Sequence, residues 1–326
     1  MSFPVHRPRR LRRTNAIRRL VSEVRLAPDD FILPLFVASG EDVRRPLTAI
    51  PGVDLLSGRH LLEEAQAVRD LGIPAVLLFG VAEESAKDDE ASLAWSSEGP
   101  VQRALNLLKR RVPELVLIAD LCLCEYTRHA HCGLLRDGEI DNDLTLAALQ
   151  KAALSLAQAG ADVIAPSGMM DGSVQALRSA LDRAGFARVA TMPYSAKFAS
   201  RLYGPFKQAT QSAPAESLHA THQVDVADGR QALTKIAHDI EEGADMVIVK
   251  PALGFLDILW QARQRFDVPL AAYNVSGEFK MVLASAPEDP GAAHALMMEL
   301  LTSIKRAGAG MIITYYAKQA AAALRE

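Results

Sequence analysis

The chain is poor in cysteine, with three in 326 residues, an odd count that cannot pair completely into a disulfide framework. No stretch approaches the eighteen or so uninterrupted apolar residues of a membrane span, and the amino terminus has no apolar segment followed by a small-residue cleavage site. A cytoplasmic protein with no membrane partner is therefore expected. Excess positive charge is also missing: the net charge is −3 and the pI is near 6.3. No field favours a polyanion, so nucleic acid is not an expected partner and small molecules are. The one basic run, His6 to Arg19, carries apolar Leu11 and Ile17, with Leu20 just beyond it. Such a run could be a nucleic-acid arm or a targeting peptide, but its apolar residues read instead as an arm that packs on its own barrel or on a neighbouring subunit. No low-complexity linker divides the chain, and 49% hydrophobic residues suffice for a large core.

What is present is a repeated alternation. Apolar runs rich in β-formers occur at Phe31 to Val37, Ala75 to Gly80, Leu115 to Leu121, Val163 to Ser167, Arg188 to Met192, Met246 to Pro251, Leu270 to Val275 and Met311 to Tyr316. They are nearly continuous in apolar residues, as strands covered on both faces must be. Helical patterns lie between them at Leu61 to Leu71, Val101 to Arg111, Leu144 to Ala159, Val174 to Ala184, Ala232 to Glu242, Phe255 to Phe266 and Ala292 to Ala307, with Ala317 to Arg325 closing the chain. Gly160, Gly185, Gly243 and Gly308 supply left-handed residues that stop helices before strands. Eight βα units without a composition break predict an α/β fold: a (β/α)8 TIM barrel over 31–326, preceded by an extended arm over 1–30. In such barrels the chemistry sits at the carboxyl ends of the strands.

Those ends carry reactive side chains. The segment after the third strand, Asp120 to Leu135 (DLCLCEYTRHAHCGLL), holds every cysteine: Cys122, Cys124 and Cys132. Three clustered thiols suit a soft metal, zinc best, with the fourth tetrahedral position open as in catalytic sites. The plainer reading is three small buried hydrophobes beside polar His129 and His131. Lys197 follows the fifth strand in PYSAKF, and Lys250 ends the sixth in VIVKP. A lysine closing an apolar strand loses its proton readily and becomes a nucleophilic amine suited to Schiff-base chemistry. Adjacent strands lie about 4.8 Å apart, so the two amines can converge and each cation should lower the pKa of the other. Either lysine alone could equally be a snorkelling rim residue. Ser276, Tyr315 and Tyr316 add neutral donors at the same mouth, able to hold a carboxylate or to serve only as turn and core residues.

The segments DLCLCEYTRHAHCGLL, APSGMMDG, PYSAKFASRLYGPF, EGADMVIVKPALGFLDI, AYNVSGEF and ITYYAKQA closely resemble, in family order, porphobilinogen synthase, also called 5-aminolevulinate dehydratase. The resemblance covers essentially the whole chain, basic arm included. It implies condensation of two 5-aminolevulinate molecules to porphobilinogen with loss of two waters, in tetrapyrrole biosynthesis. Lys250 would form a Schiff base with the propionate-side substrate and Lys197 with the acetate-side one. Cys122, Cys124 and Cys132 would ligate one zinc per subunit, Ser276 and Tyr315 would bind a substrate carboxylate, and Tyr203 to Gln223 would form a lid, with Lys207 and Gln223 binding substrate. Asp120 is a weaker candidate for proton transfer. A homo-octamer embraced by its arms is the family's usual assembly.

Departures from the family pattern mark where substrate choice or regulation could differ. Lys207 stands where an arginine is usual, and the stretch Leu218 to Gln223 lacks a usual basic residue, leaving His219 and His222 as candidate replacements. Gly168 and Ser173 replace a carboxylate and a guanidinium. Lys235 occupies the position of a glutamate that holds an allosteric magnesium, so that magnesium site is expected to be absent. The competing readings are a paralogue with the same two-lysine chemistry on a different amino ketone, and a catalytically silent barrel kept as a binding partner.

Overall fold

In a computed structural model, which describes residues 6–212 and 219–325, nine strands form one parallel sheet curled into a barrel. In chain order they are β1 (Phe31–Ala38), β2 (Ala75–Val81), β3 (Val116–Leu121), β4 (Val163–Pro166), β5 (Ala190–Thr191), β6 (Ala196–Lys197), β7 (Val247–Lys250), β8 (Leu270–Asn274) and β9 (Met311–Thr314). Every residue of β1, β2, β4, β7 and β8 is buried, because helices cover the outer face while side chains fill the inner one.

The fifth barrel strand, expected over Arg188 to Met192, is shortened to Ala190–Thr191, and a second short strand, Ala196–Lys197, forms where a loop was expected. Pro193 has no N–H to give to a ladder, and only Ala190–Thr191 and Ala196–Lys197 keep strand pairing. The segment still closes the barrel. On one side the amides of Met192 and Tyr194 donate to Ile164 and Pro166; on the other, Ile248 and Phe198 donate to Pro193 and Lys250.

The helices form where the apolar spacing places them. In Asn142–Ala159, the buried Thr145, Ala148, Leu149, Ala152 and Leu156 recur at three and four residues, one stripe facing the sheet. The Asp141 carboxylate accepts from Leu144 N at 2.8 Å to cap its start, and Gly160 at φ 106° ends it. Elements beyond the sequence expectation include a hairpin of Arg44–Pro46 with Asp54–Leu56, a second of Leu135–Arg136 with Glu139–Ile140, and the helices Gly204–Ala209 and Ser276–Ser285. The second hairpin turns through Asp137 and Gly138, both at positive φ, the two-residue turn that Asp-Gly favours.

The basic segment does not pack on its own barrel. Pro8–Arg12 and Asn15–Leu20 form short helical turns, no residue from His6 to Arg25 is buried, and Leu20 is 81% exposed.

Gly160→Ala tests the helix stop. A Cβ there would meet Lys109 Cγ at 3.1 Å in a left-handed backbone, so stability should fall by about 1–2 kcal/mol. Urea unfolding checks this; no loss would show that the loop relaxes freely.

Candidate active site

Strand register brings the two lysines together. Lys197 and Lys250 are direct cross-strand partners at the carboxyl ends of β6 and β7, 8% and 5% exposed. Lys197 Nζ donates to the Ser167 carbonyl at 2.6 Å, and Ser167 Oγ donates to Asp120 Oδ2 at 3.0 Å. Around Lys250 Nζ stand aromatic rings: Tyr273 at 4.2 Å, Tyr194 and Phe206 at 5.0 Å, Tyr203 at 5.2 Å and Phe79 at 6.0 Å. Ring faces favour a cation, yet burial first and the Lys197 charge second lower the Lys250 pKa to about 7.

Lys197 moves the other way from expectation. Burial pushes its pKa down, but negative charge on Cys132, Cys122, Cys124 and Asp120 outweighs burial and holds it above the ordinary value. The pair is therefore asymmetric, one amine poised to be neutral and one held as a cation. Asp120 lies electrostatically between them; burial raises its pKa to about 6 against the pull of Lys250 and then Lys197. Its Oδ1 and the Tyr194 hydroxyl are both buried, and the hydroxyl, as donor, draws the Asp120 pKa down while the carboxylate raises that of Tyr194.

The three sulfurs lie within 4.8 Å of one another, with Cys122 and Cys124 at 3.2 Å. None is part of a disulfide. Hydrogen bonds to Cys122 and Cys132, then burial, hold the Cys124 thiol well above the usual range. Next to it, Glu125 is buried, accepts from Cys124 Sγ at 3.2 Å, and is pushed up to about 8 by burial and then by Asp120. Converging buried thiols beside buried carboxyls form a soft donor set that a divalent cation would neutralise, so the residues present fit zinc. Position 168 borders this loop, where a Cβ would meet Cys132 O at 3.4 Å and Cys132 Cβ at 3.7 Å, ordinary contacts that leave room for a side chain.

The segment Arg201–Ser212 covers the barrel mouth. Tyr203 Oη donates to the Lys250 carbonyl at 3.1 Å, and Phe206 N donates to the buried Ser276 Oγ at 3.1 Å. Tyr315 meets Tyr273 hydroxyl to hydroxyl at 3.2 Å. Lys207, on the same cover, is half-buried, and burial lowers its pKa against the opposing pull of Cys132. Gln223 is buried beside Val224, whose N donates to Lys197 O at 3.0 Å, and with His222, Asp171, Lys235 and His238 it lines a cavity of about 730 Å³ whose lining includes neither Lys197 nor Lys250. Lys235 there forms an ion pair with the buried Asp239. Leu218 and the His219 side chain lie outside the described residues.

Sequence reasoning passed over the aromatic surround of Lys250 and over Glu278. Tyr194 and Tyr273 each stand close to a strand end that was singled out for its lysine or serine, and that adjacency was the available signal. Glu278 accepts from Leu253 N at 2.7 Å, Val275 N at 2.9 Å and Asn274 Nδ2 at 3.0 Å, binding the loop after β7 to the loop after β8. Its glutamate at the third position of a helix was the legible sign.

The sequence profile of the delta-aminolevulinic acid dehydratase family matches residues 5–323. A delta-aminolevulinic acid dehydratase of Synechococcus elongatus is 50% identical over 323 residues, 98% of each chain, and that of Bacillus subtilis is 46% identical over 326 residues, all of both. The chain belongs to the delta-aminolevulinic acid dehydratase family. Among solved structures, the delta-aminolevulinic acid dehydratase (porphobilinogen synthase) of Toxoplasma gondii, in complex with the reaction product porphobilinogen, superposes with a TM-score of 0.94 at 40% identity, covering 97% of this chain and 91% of that one. The TIM-barrel expectation thus agrees with both the curled parallel sheet and the structure of this dehydratase.

A lowered pKa means that Lys250 is a neutral amine above its pKa and an unreactive ammonium below it. Reductive methylation of Lys250, read by mass spectrometry, should therefore be half-maximal near pH 7, the value to which burial brings it. A midpoint near the ordinary lysine range of about 10.4 would show that the aromatic surround keeps the cation.

Proposed function

We propose that this member of the dehydratase family is a porphobilinogen synthase, a lyase of tetrapyrrole biosynthesis, working through Schiff bases on Lys250 and Lys197. The observation that carries the mechanism is the register pairing of two buried lysines under an aromatic cover. In this reading the Lys250 amine attacks the ketone carbon of the propionate-side 5-aminolevulinate, and water leaves as the carbon–nitrogen double bond forms. Lys197 binds the acetate-side molecule in the same way. The protonated imine makes the neighbouring carbon acidic, so a carbon–carbon bond can form near neutral pH. Asp120, with a buried oxygen facing the Tyr194 hydroxyl and a pKa of about 6, is suited to take up and return protons between the two.

Cys122, Cys124 and Cys132 would hold one zinc ion. When bound, zinc supplies Lewis-acid chemistry at its open position. Ser276 and Tyr315 would receive one substrate carboxylate, and Lys207 with Gln223 would act from the lid side. Tyr203, Phe206 and the rest of the cover exclude water while imines persist.

The Lys235–Asp239 pair supports a barrel that works without an allosteric magnesium, since its ammonium occupies the acidic side chain a cation would need. The exposed apolar residues of the arm, residues 1–30 of the proposed organisation, support assembly through that arm onto the barrel of another subunit, with an octamer as the proposed state. We take the enzyme to act in the cytoplasm.

Incubation with 5-aminolevulinate should yield porphobilinogen, with borohydride fixing substrate on both lysines. Lys250→Met and Lys197→Met should each cut turnover on the order of a thousandfold or more. Adducts without porphobilinogen would favour the reading of a different amino ketone, to which the Lys207 cover points; absence of both signals from zinc-loaded protein would leave a silent barrel.

Two metal outcomes follow. A chelator should abolish activity and zinc restore it, while Cys124→Ala should abolish the restoration. Magnesium should leave the zinc-loaded rate unchanged; a sharp rise with magnesium would overturn the role given to Lys235.

A further inference from the structure

Away from the two-lysine pair, another lysine is withdrawn from water. Lys87, on the loop that leaves β2, is 3% exposed, and an ammonium is costly to bury without charge-assisted partners. Its Nζ donates to the Gln211 carbonyl at 2.8 Å, 124 residues away in sequence, and pairs with the exposed Glu84 carboxylate at 3.1 Å. Gln211 lies just past the cover helix Gly204–Ala209, at φ 53°.

The acceptor is tied firmly to that helix. The buried Thr210 hydroxyl donates to Phe206 O at 3.0 Å and meets Ser212 Oγ at 2.6 Å, and Ser212 N donates to Lys207 O at 3.0 Å. Wherever the Gln211 carbonyl is held, Phe206 is held too. On its other side, the Lys87 loop is stitched to the cysteine loop: Asp88 N donates to Tyr126 O at 3.2 Å, and Arg128 N donates to Asp88 O at 3.1 Å. The ammonium also lies at a helix carboxyl end, where a cation is favoured.

We propose that Lys87 is a positioning residue, a cationic latch that fastens the cover to the cysteine loop and so keeps Phe206 over the Lys250 amine. The consequence for catalysis rests on the reading of Lys250 as a nucleophile; the latch itself does not. Losing the latch frees the cover to open, lets water reach Lys250, and separates the cover from movements of the thiol loop.

Arg201 and Lys207 lie in the cover and make its opening visible to trypsin. In zinc-loaded protein, Lys87→Met, which keeps the apolar stem, should speed cleavage at those two sites on the order of tenfold or more. Cleavage elsewhere and the Tm should stay near the parent's, and Lys87→Arg should restore much of the protection. Turnover by Lys87→Met should show a lower kcat with KM changed less. Parent-like cleavage at Arg201 and Lys207 in Lys87→Met overturns the latch. Should that variant lose its fold, acetylation of the parent decides: Lys87 should react far more slowly than exposed Lys280, and more slowly again with porphobilinogen bound. Equal rates at Lys87 and Lys280 overturn the proposal. Lys87-dependent cleavage in a protein that forms no porphobilinogen would keep the latch and reject the functional reading.

Discussion

Two amines cannot be set side by side in an apolar barrel mouth without a counterbalance, and much of the site is arranged by that constraint. Lys197 and Lys250 face each other across one rung of the sheet. Within reach of their fields lie Asp120, whose Oδ1 is buried, and the buried Glu125 and three thiols. Each group alone would be expensive to ionise there; together they share protons so that few full charges remain unopposed. Burial makes Lys250 the easier amine to discharge, and proximity to the sulfurs makes Lys197 the harder. The metal loop and the nucleophiles are thus one electrostatic unit built from separate strand ends.

Covering that unit falls to side chains rather than to sheet. The aromatic rings around Lys250 come from β2, the β5–β6 connection, the cover and β8, so no single element defines the surround. Glu278 and Ser276, at the start of one helix, hold the loop after β7 and the cover respectively. Gly277 between them leaves room for the Leu202 backbone, which an added Cβ would meet at 2.5 Å. Three successive residues therefore each have a distinct structural task, an acceptor, a space and a cap.

The barrel itself was legible in sequence because its signal is repetitive: apolar runs at strand length, helical stripes between them, and glycines that the structure finds at positive φ at 160, 185, 243 and 308. The lysine and cysteine segments were legible because their side chains are costly at the ends of buried strands. The Lys197 shift was not legible, since its sign depends on the distances to sulfurs some seventy residues earlier in the chain. The Asp137-Gly138 hairpin carried a recognisable turn signal, but strands two residues long have no measurable periodicity. Motif alone places Gln223 at the lid; it lines a cavity with Lys235 on one side, while the amide of the next residue, Val224, donates to Lys197 O at 3.0 Å on the other.

Pro193 leaves the barrel with a seam. Between β4 and β7 the ladder is carried by two short paired stretches and a handful of isolated amide bonds, whereas β1 and β2 pair along seven consecutive residues. Local opening begins where backbone bonds are fewest, and both lysines flank that seam. Mild denaturant or modest heating would accordingly silence the chemistry before the rest of the barrel melts, so the working temperature range of this protein is set by its weakest joint and not by its global stability.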